Sequence, residues 1–70
     1  MEYNIKCTRK EDSYHFYYMD YFRVLEIIED FYTSYKVFIK NLKTNKEYII
    51  ENDEDYNNFK KFEKKNSEVE

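Results

Sequence analysis

The sequence predicts a small α+β domain, in which an antiparallel β-sheet of three to five strands packs against a C-terminal amphipathic helix. Two patterns predict this class. Residues 35–51 contain two runs in which apolar and polar residues alternate, the period of a strand with one buried face. Residues 53–64 instead repeat aromatic residues at helical spacing. Seventy residues suffice for one domain. We expect that domain to span residues 1–65, with residues 66–70 as a frayed polar tail.

The clearest element is a β-hairpin. In the first run, every second residue is apolar, and these residues alternate with two lysines and one phenylalanine, Lys36, Phe38 and Lys40. After an interruption, the alternation resumes at Glu47–Glu51. A tight turn between strands needs a residue that tolerates positive φ, and the chain contains no glycine. Asparagine is the next best choice, so we predict that Asn45 takes the left-handed position of the turn.

A helix from Asp53 to Lys64 should follow the hairpin. Asn52 suits the N-cap, and three acidic residues directly after it favour the positive end of the helix dipole. Lysines occupy the C-terminal turns. The sequence therefore predicts an amphipathic helix. Its apolar stripe, which packs on the sheet, is formed by Tyr56, Phe59 and Phe62.

The N-terminal half contains two further strands and one ambiguous segment. Tyr3–Thr8 alternates as a strand does, and the nearly all-aromatic run Tyr14–Met19 suits a strand occupied on both faces. Residues 20–32 are either a second helix or a further strand. Polar residues at spacings of three favour the helix, and the β-branched residues favour the strand. If the segment is a helix, four apolar or aromatic side chains lie near one face: Phe22, Leu25, Ile28 and Tyr32.

The composition indicates a small, aromatic interior. Tyrosine and phenylalanine supply fifteen residues, against eleven of valine, isoleucine and leucine together. One cysteine excludes an intrachain disulfide, and one cysteine with one histidine cannot build a four-ligand zinc site. In so short a chain, the free energy gained by burying apolar surface barely exceeds the entropy cost of ordering the chain. We therefore expect a partner or a second copy to supplement the core.

The sequence contains little that supports a catalytic function. His15 is the one side chain with an unperturbed pKa near neutrality, and no nucleophile or carboxylate signature accompanies it. Cys7 lies in a predicted strand. The acidic run at residues 53–55 is explained by helix capping, and Glu29 with Asp30 does not match a calcium loop. We expect a protein that is not an enzyme and uses no cofactor or metal.

Charge and hydropathy bear on partners and location. The net charge of −3 provides no polybasic footprint for nucleic acid. No stretch is apolar over the length of a membrane span, and Met1–Lys10 lacks the apolar run of a secretory signal. We therefore expect a cytoplasmic location and no membrane association.

The aromatic run after residue 13 predicts a binding surface. Tyrosine is enriched at interface hot spots because it brings a rigid ring and one polar tip, and nearby acids would steer the encounter. We expect a protein-binding surface formed by Tyr17, Tyr18, Asp20, Tyr21, Glu26, Glu29 and Asp30. The alternative is a small nucleic-acid-binding regulator with an aromatic stacking face, whose phosphate contacts would come from Lys6, Arg9, Lys10 and Arg23.

The chain as a whole resembles one class of accessory protein. Its small size, its bias toward residues with A/T-rich codons, its missing catalytic groups and its tyrosine-rich, mildly acidic character are similar to proteins that phages and plasmids use against host machinery, anti-restriction and anti-CRISPR proteins among them. The resemblance rests on composition, not on a motif. It implies a partner that is a host protein or nucleoprotein complex, inhibited by occlusion of a site. A homodimer is the other expected association, and direct nucleic-acid binding is less favoured.

Overall fold

The fold is a four-stranded antiparallel sheet with both helices on one face. A computed structural model describes the backbone of residues 2–69 and the side chains as far as Lys64. The elements follow the order β1 (Tyr3–Thr8), β2 (Ser13–Met19), α1 (Tyr21–Phe31), β3 (Lys36–Asn41), β4 (Glu47–Ile50) and α2 (Asp53–Val69). The strands lie in the order β2-β1-β3-β4. The α+β class predicted from the sequence is confirmed.

The core fills the space between the helices and the inner face of the sheet. Its fully or nearly fully buried apolar side chains are Tyr3, Ile5, Cys7, Val24, Ile27, Ile28, Val37, Ile39, Ile50 and Phe59. Only two of these ten are aromatic, so the buried centre is less aromatic than predicted. Most other rings pack around it half-buried, because a tyrosine at the margin of a core can still find a partner for its hydroxyl.

Residues 21–31 form a helix, which decides between the two alternatives for this segment. The Asp20 side chain caps its N-terminus, accepting a hydrogen bond from the Arg23 backbone N–H at 2.8 Å. The buried stripe differs from the predicted one. Val24, Ile27 and Ile28 face the sheet, whereas Phe22 is 76% exposed. The β-branched residues thus lie in the core of a helix, where burial outweighs their modest cost in helix propensity.

The hairpin is confirmed in its strands and in its turn. Strand β3 pairs with β4 from Val37 opposite Ile50 to Lys40 opposite Glu47. Asn45 has a φ of 62°, and its backbone N–H donates to the Asn41 carbonyl at 2.8 Å. Asparagine tolerates this left-handed conformation better than residues with bulkier side chains do.

Substitutions at Asn45 should move stability in opposite directions. Asn45→Gly should be neutral or slightly stabilising, because glycine adopts positive φ without steric cost. Asn45→Val should lower the free energy of unfolding by about 1 kcal/mol or more, since a β-branched side chain is strained there. Thermal unfolding followed by circular dichroism measures both. Equal midpoints for the two variants would contradict the turn geometry.

Helix α2 begins as predicted but ends later and turns a different face inward. Asn52 accepts the Asp55 backbone N–H at 2.8 Å, as an N-cap does. The helix runs to Val69 instead of ending near Lys64, and Glu70 of the predicted tail lies outside the described residues. Phe59 is buried, but Phe62 is 51% exposed. The predicted stripe was therefore wrong at Phe62.

Candidate functional site

The outer face of the sheet is not covered by either helix. Antiparallel register aligns its outward side chains in rows across the strands. His15 pairs with Lys6, Lys6 with Phe38, and Phe38 with Ile49, so these four form a central row that spans all four strands. We call this surface the open face and define it by Asn4, Lys6, His15, Tyr17, Phe38, Lys40, Glu47 and Ile49, which line one shallow depression.

The depression on the open face has a volume of about 400 Å³ and an apolar character at its centre. Tyr17 is 54% exposed and Ile49 is 51% exposed, with Phe38 half-buried. The Tyr17 hydroxyl lies 3.1 Å from His15 Nδ1. The solvated face of an antiparallel sheet normally carries polar residues, so this apolar content is unusual for a surface in contact with water alone.

Charges on the open face are balanced on one half of the sheet and unbalanced on the other. On β3 and β4, Lys36 Nζ lies 3.0 Å from a Glu51 carboxylate oxygen, and Lys40 stands opposite Glu47. On β1, Lys6 is exposed and forms no ion pair with a described carboxylate. The centre of the open face therefore presents an ammonium group that no described carboxylate neutralises, beside apolar side chains.

A β-bulge in β2 sets the direction of Tyr17 and Tyr18. The register shifts between Phe16 opposite Ile5 and Met19 opposite Tyr3, so two residues of β2 occupy the space of one. Tyr18 takes a φ of 59°, and its backbone N–H donates to Asn4 Oδ1 at 3.2 Å. Tyr18 is left 67% exposed at the end of the strand. Positive φ in so bulky a residue is strained, a feature that concentrates at functional sites.

The structure distributes the expected protein-binding residues over several places. Tyr17 lies on the open face, and Tyr18 lies in the bulge. Asp20 is the N-cap of α1. Tyr21 is half-buried, with its ring stacked on that of Phe59 at a centroid distance of 6.2 Å. Of these four aromatic and capping residues, the open face therefore includes only Tyr17.

The acidic residues of the expected surface lie on α1. Glu26 is exposed and paired with Arg23 at 3.1 Å, and Glu29 and Asp30 are exposed in the following turn. Helix α1 packs on the inner face of the sheet. These three carboxylates are consequently on the other side of the molecule from the open face.

Sequence reasoning missed the central row of the open face, although the sequence contains a signal for it. Phe38 alternates with buried residues in β3, between Lys36 and Lys40, and Ile49 holds an outward position in β4, between Glu47 and Glu51. Each is an apolar residue at an outward position of a strand. Such residues have no role in the core, and their pairing across the sheet becomes apparent only from the register.

A second polar cluster lies in the interior, around Glu63. This glutamate has no exposed surface. One carboxylate oxygen accepts hydrogen bonds from the Tyr3 hydroxyl at 2.6 Å and from Asn41 Nδ2 at 2.8 Å, and the other accepts from the Tyr48 hydroxyl. Burial, reinforced by the hydrogen bond to the carboxylate, raises the pKa of Tyr3 and of Tyr48 well above the usual range. The cluster links α2 to three strands and is closed to any substrate.

The two nucleophile and base candidates lie on opposite faces of the sheet. Cys7 is buried in the core, and burial raises the pKa of its thiol to about 11, so it stays protonated near neutrality. His15 is on the open face. Within the described residues, no group of three or more His, Cys, Asp or Glu side chains could hold a metal ion. The absence of enzymatic activity remains a prediction.

Comparison of the chain with protein-family models, curated proteins and solved structures found no match. Among the described residues, no helix is both long enough and apolar enough to span a membrane. The open face presents exposed apolar side chains that do not contribute to the core of this chain.

Proposed function

We propose that this chain is a non-enzymatic protein-binding module and that the open face is its contact surface. One observation carries the proposal: Tyr17, Phe38 and Ile49 place apolar surface on a sheet face that neither helix covers. Apolar patches bounded by polar residues are typical of protein interaction sites. A rigid sheet presents them without the ordering cost that a loop would incur on binding.

The charge of the open face specifies the chemistry of the partner. Lys6 stands between His15 and Phe38 without a carboxylate partner among the described residues. A partner with an acidic side chain among apolar ones would pair with Lys6 and cover the rings at the same time. Burying Lys6 without such a carboxylate would leave an unpaired charge, so the lysine also selects against wholly apolar partners.

The mode of action that we propose follows from the resemblance in composition. A mobile-element protein of this size would inhibit or modulate a larger host protein or nucleoprotein complex by covering a site on it, as anti-restriction and anti-CRISPR proteins do. The open face is a shallow depression, and Cys7 is buried on the opposite side of the sheet from His15, which supports occlusion over chemistry.

A nucleic-acid-binding function is the second candidate, and one observation favours it. Lys6, Lys36 and Lys40 all point outward on the sheet face that carries Tyr17, although the chain is acidic overall. Lys36, however, is paired with Glu51. Two of the expected phosphate-binding cations are also engaged, since Arg9 bonds Asp12 at 2.6 Å and Arg23 bonds Glu26. The protein-binding function therefore takes precedence.

Affinity capture with matched variants tests the proposed surface. Immobilised protein is exposed to a lysate of a low-GC bacterium, and mass spectrometry compares what each variant retains. We expect a partner retained by the wild type to be lost with Tyr17→Ala and with Lys6→Glu. Phe22→Ala removes a still more exposed ring from α1, and Lys61→Glu makes the same charge change on α2, so both variants should retain the partner. Loss with the α1 and α2 variants alone would place the contact surface on the helices.

Binding to a single-stranded oligonucleotide separates the two candidate functions. Fluorescence anisotropy at low salt should show no binding if the open face recognises protein. Under the alternative, Tyr17→Ala would weaken oligonucleotide binding by about 1–3 kcal/mol, and the binding constant would fall steeply with salt. That result would replace our proposal with the nucleic-acid-binding function.

A further inference from the structure

The free edge of β2 is an open pairing surface up to the β-bulge at Tyr17 and Tyr18. Edge strands expose unpaired backbone groups, and proteins usually protect them with charged residues, proline or short length. Strand β4, the other edge, is four residues long and lies between Lys46 and Glu51, with Glu47 as its first residue. Strand β2 is seven residues long and contains no proline and no Asp, Glu, Lys or Arg. The two edges of this sheet are therefore not equivalent.

The register shows which backbone groups point away from the sheet. The Arg9 N–H donates to the Asp12 carbonyl at 3.0 Å, so this pair at the end of the β1–β2 hairpin is a hydrogen-bonded one. Hydrogen-bonded and non-hydrogen-bonded pairs alternate along an antiparallel ladder. Ser13 and His15, opposite Thr8 and Lys6, thus belong to non-hydrogen-bonded pairs. Their N–H and C=O groups point toward the free edge.

We propose that a second copy of this chain pairs with β2 along this edge, antiparallel and around a two-fold axis, so that two four-stranded sheets form one continuous sheet. The pairing uses the backbone of Ser13 and His15. The β-bulge at Tyr17 and Tyr18 ends the regular part of the strand and limits the ladder to the residues before it.

The absence of charge on β2 favours a second copy as the occupant. Two molecules that each carry a net charge of −3 repel one another, and the repulsion at the contact is smallest where the contacting segments carry no charge. The β2 edge meets this condition, because antiparallel pairing of β2 with itself opposes no like-charged carboxylates or ammonium groups in any register. A charged partner segment would find no complementary charge on β2. Self-pairing suits this edge better than pairing with such a segment.

Pairing would also cover rings that the monomer leaves in water. Tyr14 lies on the inner side of β2 and Tyr17 on its outer side, and both are about half exposed. Cross-strand neighbours from the second copy would contact each of them. The monomer has a small core and no disulfide, and association is one way in which small domains gain further burial.

The dimer would join the two open faces and place His15 of both copies near the two-fold axis. This inference does not depend on the proposed function, since it concerns the free protein. A dimer without any captured partner would support the inference and leave the proposed function to its own test.

Proline substitution tests the edge. His15→Pro removes an N–H that bonds nothing within the sheet of one copy, so the monomer should keep its fold, which circular dichroism checks. Glu47→Pro is the matched change on the β4 edge, where the N–H also points outward by the same alternation. Sedimentation equilibrium over a dilution series should show a dimer for the wild type and for Glu47→Pro. The His15→Pro dimer should be at least about tenfold weaker.

A charge substitution provides a second test that leaves the backbone donors in place. His15→Glu puts a carboxylate beside Lys6, and this attraction favours the folded monomer. In the dimer, the new carboxylates of the two copies would repel one another across the junction. Its dimer should also be weaker by about tenfold or more, with partial recovery at high salt. A single 8.9 kDa species for the wild type at every concentration would overturn the inference. So would a dimer that Glu47→Pro disrupts and both His15 variants retain.

Discussion

Phe59→Ala is expected to lower the free energy of unfolding by about 3–5 kcal/mol. The side chain has no exposed surface, and its ring contacts those of Tyr48 and Tyr3 with centroid distances of 4.9 and 6.1 Å. Truncation would remove these contacts and leave a cavity between α2 and the sheet. In a domain of this size the loss is comparable to the whole stability, so thermal unfolding by circular dichroism should show a partly or fully unfolded variant.

Phe62→Ala is the matched control for this prediction. It makes the same chemical change one turn along α2, at a side chain that is half exposed and has the Lys46 ammonium 5.0 Å from its ring centroid. We expect a loss of no more than about 1 kcal/mol. An unchanged midpoint for Phe59→Ala, or a larger loss for Phe62→Ala, would show that α2 packs on the sheet by a different face.

Glu63→Ala is expected to cost about 3 kcal/mol or more, the second large effect. The substitution removes the acceptor that Tyr3, Asn41 and Tyr48 share. A buried donor without a partner costs about 1–3 kcal/mol, and the cavity left by the carboxylate adds to this. Urea-induced unfolding would measure the change through the denaturant midpoint, provided that the slope of the transition is preserved.

Two variants show whether hydrogen bonding is the cause of the loss. Glu63→Gln retains one oxygen acceptor and nearly the same volume, so its cost should be clearly smaller than that of Glu63→Ala. Glu54→Ala removes an exposed carboxylate from the first turn of the same helix and should change stability by less than about 1 kcal/mol. If Glu63→Gln destabilised as much as Glu63→Ala, the hydrogen bonds that the carboxylate accepts would not be the main contribution of Glu63 to stability.

Residues with local signals determined much of the fold by themselves. The alternation around Val37 and Ile39 predicted β3, and the lack of glycine led to Asn45 as the residue with positive φ. Asn52 predicted the start of α2, because an N-cap acts within the first turn of its own helix. Each of these features depends on neighbours a few residues away. A sequence displays such neighbours directly.

Only the tertiary structure decided the inward faces of the helices and the composition of the open face. About 100° of rotation per residue places Phe62 and Glu63 at similar angles on either side of Phe59, so helical spacing alone does not select between them. The donors of Tyr3, Asn41 and Tyr48 select Glu63, and they come from three strands distant in sequence. The open face likewise depends on the strand order β2-β1-β3-β4, which brings His15, Lys6, Phe38 and Ile49 into one row. Contacts between residues far apart in the chain are set by packing, and no local pattern encodes them.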